Sequence, residues 1–214
     1  MSGGGAEQRA ALAAADPAMA ALIERIGEID LETRLRRRSE QRPADAYGAL
    51  LRAIVGQQLS TKAARTIHGR VLELFGGATP SPEQLLEAGE EELRGCGLSG
   101  RKVEYVRDLA THVLDGELEL ERLGELSDEE AIAEIVAVRG LGQWTAEMFL
   151  LFHLERPDVL SGGDLGIRKA VQIEYELAEM PAPARVLEIG EAWRPHRSLA
   201  SLYLWESLAS VPAE

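Results

Sequence analysis

Cysteine is almost missing from this chain: Cys96 stands alone among 214 residues. A single thiol excludes a disulfide framework and a four-cysteine iron–sulfur cluster. Aromatic residues make up only 5% of the chain, so each of its three tryptophans calls for a specific account. No apolar run approaches the ~18 residues of a membrane span. The opening Met1-Ser2-Gly3-Gly4-Gly5-Ala6-Glu7 has neither the basic n-region nor the apolar h-region of a secretory signal. The expectation is an intracellular protein that makes no membrane contact. Its four histidines, His68, His112, His153 and His196, lack metal-ligand spacing, so no catalytic metal is expected.

Positive charge is also in short supply, with 23 Lys and Arg against 36 Asp and Glu and a formal net charge of −13. Such a balance opposes strong non-specific attraction to a polyanion. The acids concentrate at Glu87 to Glu92 and Asp115 to Glu134, as expected of solvated helix faces. Arg101, Lys102, Arg107, Arg139, Arg168 and Lys169 lie elsewhere, beside two glycine turns and a helix start. Arg34-Leu35-Arg36-Arg37-Arg38-Ser39 is a separate basic stretch that reads as a linker or a solvated helix face ahead of a DNA contact, since nothing ties it to the hairpin in sequence.

Strand alternation is absent and helical periodicity dominates, which predicts an all-α fold of about ten short helices. Asp16 before Pro17 reads as an N-cap with a first-turn proline, followed by an apolar stripe through Met19, Leu22, Ile23 and Ile26. Tyr47, Leu50, Leu51, Ile54 and Val55 repeat that spacing. Ser60 caps the next helix, which Gly76-Gly77 ends. Ser81-Pro82-Glu83-Gln84 and Ser127-Asp128-Glu129-Glu130 both have capping-box form.

The most informative stretch is Val138-Arg139-Gly140-Leu141-Gly142-Gln143-Trp144-Thr145-Ala146. Two glycines around one apolar residue allow a tight hairpin whose backbone N–H groups, with the positive end of the following helix, suit a phosphate. Asp164 follows about twenty residues after Trp144, in Ser161-Gly162-Gly163-Asp164-Leu165-Gly166, where local sequence reads it as an ordinary N-cap. Cys96-Gly97-Leu98-Ser99-Gly100-Arg101-Lys102 is a fainter glycine turn.

Together with Ile54-Val55-Gly56-Gln57-Gln58-Leu59-Ser60 and Trp193-Arg194-Pro195-His196-Arg197-Ser198 with Trp205, these segments resemble the 3-methyladenine DNA glycosylase II family. That family is the alkylated-base branch of the helix-hairpin-helix DNA glycosylases. The resemblance covers roughly residues 45 to 208. It implies a two-lobed helical fold with an interlobe active-site cleft, in a short form without the N-terminal β-rich domain of fuller members. The expected division is lobe A over 45–125 and lobe B over 126–214, with 1–44 packed on lobe B and the hairpin at 138–146. The implied partner is double-stranded damaged DNA, met by a monomer in the cytoplasm or at the nucleoid.

The resemblance also assigns roles. Asp164 becomes the catalytic carboxylate, facing a sugar that acquires oxocarbenium character as the C1′–N bond breaks. Trp144 stands where lyase-competent relatives carry a Schiff-base lysine, and an indole cannot be an amine nucleophile, so simple hydrolysis is implied. Trp144, Trp205, Met148 and Gln57 are expected to line the base pocket, with the indoles suited to a flipped cationic base. Met148 replaces an expected aromatic and makes the pocket adaptable. Gly140, Leu141, Gly142, Gln143, Thr145, Gln58, Leu59, Arg101 and Lys102 are expected on DNA, and either Gln58 or Leu59 is the wedge. Trp193 is expected in the core. No cofactor is implied beyond a structural monovalent cation at the hairpin carbonyls.

Other readings of the same residues are a non-catalytic hairpin module that only binds DNA, an acidic interaction protein with a chance glycine turn, and a glycosylase for other damaged bases. A bifunctional glycosylase-lyase is the nearest enzymatic rival, and it lacks its lysine.

Overall fold

The computed structural model describes residues 4–29, 31 and 45–209, and the basic stretch from Arg34 to Arg38 lies outside them. Twelve α-helices and two 3₁₀ turns, and no strand, occur among the described residues. The chain forms two compact units, Met1–Arg38 with Leu150–Glu214, and Ser39–Phe149.

In the first unit, α1 (Gly4–Ala15) and α2 (Pro17–Ile26) join the C-terminal helices α10 (Leu165–Glu174), α11 (Pro183–Gly190) and α12 (Arg197–Ala209). One buried carboxylate links the two ends of the chain. Asp16 caps α2 through Oδ1, accepting from the N–H groups of Ala18 at 2.9 Å and Met19 at 3.3 Å. Its Oδ2 accepts from Trp193 Nε1 at 2.9 Å and from the Tyr175 hydroxyl. Trp193 is fully buried, as expected, and its N–H has the partner that a buried indole requires. Tyr203 on α12 adds a second tie, donating to Gly27 O and accepting from Ile29 N.

The approach to α10 and α12 is fixed by polar contacts. Arg197 donates to Oδ1 and the carbonyl of Asp158, and the Ser198 hydroxyl bridges Arg156 O and Val159 N. The Trp193 to Ser198 segment therefore secures the chain just upstream of Asp164.

The second unit holds α3 (Ala46–Gly56), α4 (Thr61–Leu74), α5 (Pro82–Glu87), α6 (Glu90–Gly95), α7 (Gly100–Leu114) and α8 (Asp128–Ala137). The local signals act as expected: Ser60 caps α4, and both capping boxes form, Ser81 with Gln84 and Ser127 with Glu130. The core includes Leu50, Leu51, Ile54, Val55, Val71, Leu85, Val106 and Leu109, all buried.

Helix α9 (Gln143–Phe152) contains the boundary between the units, at 149/150 rather than at the 125/126 expected from sequence. The physical reason lies in the hairpin before it. Arg139 N donates to Asp108 of α7, and Gly140 O accepts from Gln57, so 138–142 belongs with the helices of the second unit.

Candidate active site and nucleic-acid interface

Asp164 is the N-cap of α10, as its local sequence predicts. Its Oδ1 accepts from Ile167 N at 2.8 Å. The same oxygen accepts from the indole N–H of Trp205 at 3.0 Å. Trp205 is half-buried and its ring stacks on Phe152, with centroids 5.8 Å apart and planes 26° apart. A Cβ on Gly166 would sit 3.1 Å from Asp164 Oδ1 and 3.2 Å from Trp205 Cδ1, so the absent side chain is what lets the indole approach the cap. A half-buried carboxylate is thus held in one orientation by a backbone donor and a stacked aromatic donor. Trp205, expected as a base-stacking wall, holds the carboxylate through its N–H.

In the second unit, the hairpin turns at Gly140, which has φ +87° and therefore favours glycine. Beneath it lies the ring of Tyr105: a Cβ on Gly140 would fall 2.2 Å from Tyr105 Cδ2. Gly142 differs, being exposed with open space where a Cβ would point. Leu141 is buried, and its N–H closes the turn onto Val138 O at 3.1 Å. Gly142 O accepts from Ala146 N and so opens α9, whose first turn carries Gln143, Trp144 and Thr145. Trp144 is 52% exposed, an unusual state for the largest side chain in a chain so poor in aromatics. Met148, one turn later, is half-buried. Gln143 reaches its own helix, donating to Glu147 at 2.9 Å.

The loop after α3 carries Gln57, Gln58 and Leu59. Gln58 has φ +57°, a left-handed backbone that costs a non-glycine residue roughly 1 kcal/mol. Leu59, beside it, is 37% exposed. Gln57, expected in the base pocket, donates from Nε2 to Gly140 O at 2.6 Å.

Lys102, expected on DNA, turns inward, as do two of the other cations near the turns and the helix start, Arg107 and Arg168. Lys102, grouped with Arg101 from sequence, donates from Nζ to Val55 O at 2.7 Å and Gln57 O at 2.8 Å. These carbonyls belong to the C-terminal end of α3, where the helix leaves acceptors unpaired and its dipole is negative. Burial lowers the Lys102 pKa below the ordinary lysine range. Arg107 donates to Ala88 O and Arg168 to Pro181 O. Arg101 is exposed, and the Arg139 guanidinium lies 3.7 Å from Glu104 at the surface. The roles of Tyr105 and Asp108 are not apparent from motifs. The available signal is the spacing Lys102, Tyr105, Asp108, which places all three on one face of α7.

Helices without strands among the described residues, a glycine hairpin opening one helix and a carboxylate capping another fit the helix-hairpin-helix class. Residues 51–195 match the model of the HhH-GPD superfamily of base excision DNA repair proteins, and the chain belongs to that family. It is 35% identical over 165 residues to DNA-3-methyladenine glycosylase 1 of Schizosaccharomyces pombe, covering 76% of this chain and 72% of that one. A Bacillus subtilis relative, YfjP, is 33% identical over 168 residues, and the match covers 76% of this chain and only 58% of that protein's length. Among solved structures, the Schizosaccharomyces pombe 3-methyladenine DNA glycosylase in complex with abasic DNA superposes with a TM-score of 0.79 at 30% identity. That likeness covers 97% of this chain and 99% of the other.

Proposed function

We propose that this protein is a monofunctional DNA glycosylase that hydrolyses the N-glycosidic bond of alkylated purines, of the 3-methyladenine and 7-methylguanine type, in double-stranded DNA. The product is an abasic site, and the work is base excision repair inside the cell, carried out by a monomer. The observation that carries this reading is Asp164, whose carboxylate is held by Ile167 N–H and the Trp205 indole at the start of α10. A carboxylate fixed in place needs no reorganisation when positive charge develops on the sugar, which makes it an effective transition-state partner.

In the reaction, the electron pair of the C1′–N bond passes to the base. A base methylated at N3 of adenine or N7 of guanine is cationic, and it leaves neutral without a proton donor. Water then attacks C1′ and releases a proton, while Asp164 stabilises the cation or orients the water. Trp144 supports the hydrolytic course, since its indole offers no amine for a Schiff base, and its exposed ring suits stacking with a cationic purine. The hairpin from Arg139 to Gly142, with the first turn of α9, is the proposed phosphate anchor. Gln58 and Leu59 are the proposed wedge pair.

The monovalent cation implied at the hairpin would meet backbone carbonyls only, a donor set that suits a hard ion. The carbonyls of Val138, Gly140 and Gly142 each already accept one hydrogen bond, so each would offer its second lone pair. Neutralising phosphate charge is the chemistry such an ion supplies when bound.

Incubation with methylated duplex DNA, followed by chromatography of the released bases, tests the reading. Free 3-methyladenine and 7-methylguanine should appear, with strand cleavage only after alkali. Cleavage without alkali, or preferred release of neutral 8-oxoguanine, would defeat it.

A further inference from the structure

One face of α7 touches the backbone of two separate loops. Lys102 Nζ binds the carbonyls of Val55 and Gln57, where α3 gives way to the 57–59 loop. Tyr105 fills the space under Gly140. Asp108 Oδ2 accepts from Arg139 N at 2.8 Å, where the hairpin begins. The loops are also joined directly, because Gln57 Nε2 donates to Gly140 O at 2.6 Å. Each contact reaches backbone rather than a replaceable side chain, and together they leave neither loop free to shift alone.

We propose that Gln57, Lys102, Tyr105 and Asp108 are positioning residues that lock the 57–59 loop and the 138–142 hairpin in one register, so that wedging the duplex and anchoring its phosphate are a single event. This rests on the glycosylase reading, which supplies the DNA that both loops meet. Lys102 then acts through the loop and does not itself neutralise phosphate, and Gln57 sets loop geometry and not the choice of base. The physical gain is preorganisation: a wedge displaced by about an ångström from the anchor would insert at the wrong step, and such misplacements are costly.

The test uses the full chain and a duplex carrying a tetrahydrofuran abasic analogue with 2-aminopurine beside it. Affinity is measured across a salt series and unstacking is read by fluorescence. Lys102→Met and Gln57→Ala should each weaken binding about tenfold and lower the fluorescence amplitude. The double variant should be no weaker than either single one, because both remove the same lock. The salt slope of Lys102→Met should equal that of the wild type.

A slope shallower by about 0.9 would make Lys102 a phosphate contact and overturn the inference. So would a double variant that is about a hundredfold weaker, because independent losses multiply. Should Lys102→Met not fold, Asp108 decides the matter: Asp108→Asn keeps an oxygen acceptor for Arg139 N–H and should bind nearly as the wild type, whereas Asp108→Ala should lose about tenfold. Equal loss in both overturns the lock. A wild type that excises methylated purines beside silent variants overturns this inference alone, and a wild type that does not recognise the abasic duplex overturns the glycosylase reading with it.

Discussion

The indole N–H of Trp205 donates to Asp164 Oδ1 at 3.0 Å, and that oxygen is also the cap of α10. One atom therefore caps the helix and, under the proposed function, faces the reacting sugar, and substitutions can separate the two. Asparagine caps helices about as well as aspartate but carries no charge. Asp164→Asn should keep the wild-type melting temperature and lose at least about a hundredfold in turnover, on the order of 3 kcal/mol. Trp205→Phe keeps the ring on Phe152 and removes the donor, so turnover should fall about tenfold with little change in KM. Single-turnover excision from a methylated duplex, beside thermal melts, checks both.

The two hairpin glycines differ in kind. Gly140→Ala places a Cβ 2.2 Å from the Tyr105 ring at φ +87°, so it should destabilise the protein by roughly 1–3 kcal/mol and weaken DNA binding as a consequence. Gly142 has open space, and Gly142→Ala should fold normally. If phosphate approaches there, Gly142→Ala should nonetheless bind duplex DNA more weakly. A Gly142→Ala protein with wild-type melting temperature and wild-type affinity would remove Gly142 from the anchor.

Gln58 holds a left-handed backbone at the tip of its loop. Gln58→Gly should relieve that strain and leave stability unchanged or raised by up to about 1 kcal/mol. If the side chain wedges the duplex, the same variant should lose base-flipping amplitude. Leu59→Ala provides the comparison, and the variant with the larger loss of 2-aminopurine signal identifies the wedge.

His68 is buried on α4, and its Nε2 has no hydrogen-bond partner. Burial lowers its pKa below the ordinary histidine value, and the nearby Arg52 guanidinium lowers it further. The folded protein therefore resists protonation that the unfolded chain accepts near pH ~6.5. Above that value this site adds no pH dependence, and as pH falls below it the unfolded chain gains the proton and stability declines. Urea midpoints should drop between about pH 7.5 and about pH 5.5, and His68→Leu should flatten that dependence. An equal pH dependence in His68→Leu would exclude the site as the source.

The local features were legible in the sequence because their partners lie within one turn. A cap reaches three residues along the chain, so Ser60, Ser81, Ser127 and Asp164 could be placed on helix starts from residue type and spacing. The hairpin was legible for a similar reason, since Gly140 answers to a backbone angle. What only the tertiary structure decided is where the long polar side chains go. Gln57 meets a carbonyl 83 residues away, Trp205 meets a carboxylate 41 residues away, and Asp16 holds an indole 177 residues away. Lysine and glutamine carry no periodic signature that separates an outward phosphate contact from an inward tie to a helix end. The choice depends on which unpaired carbonyl lies within reach after packing, because a buried acceptor without a donor is costly and draws in whatever cation the neighbouring helix presents. Lys102 turns inward because α7 packs beside the open end of α3, a fact of packing that residue type and spacing could not disclose.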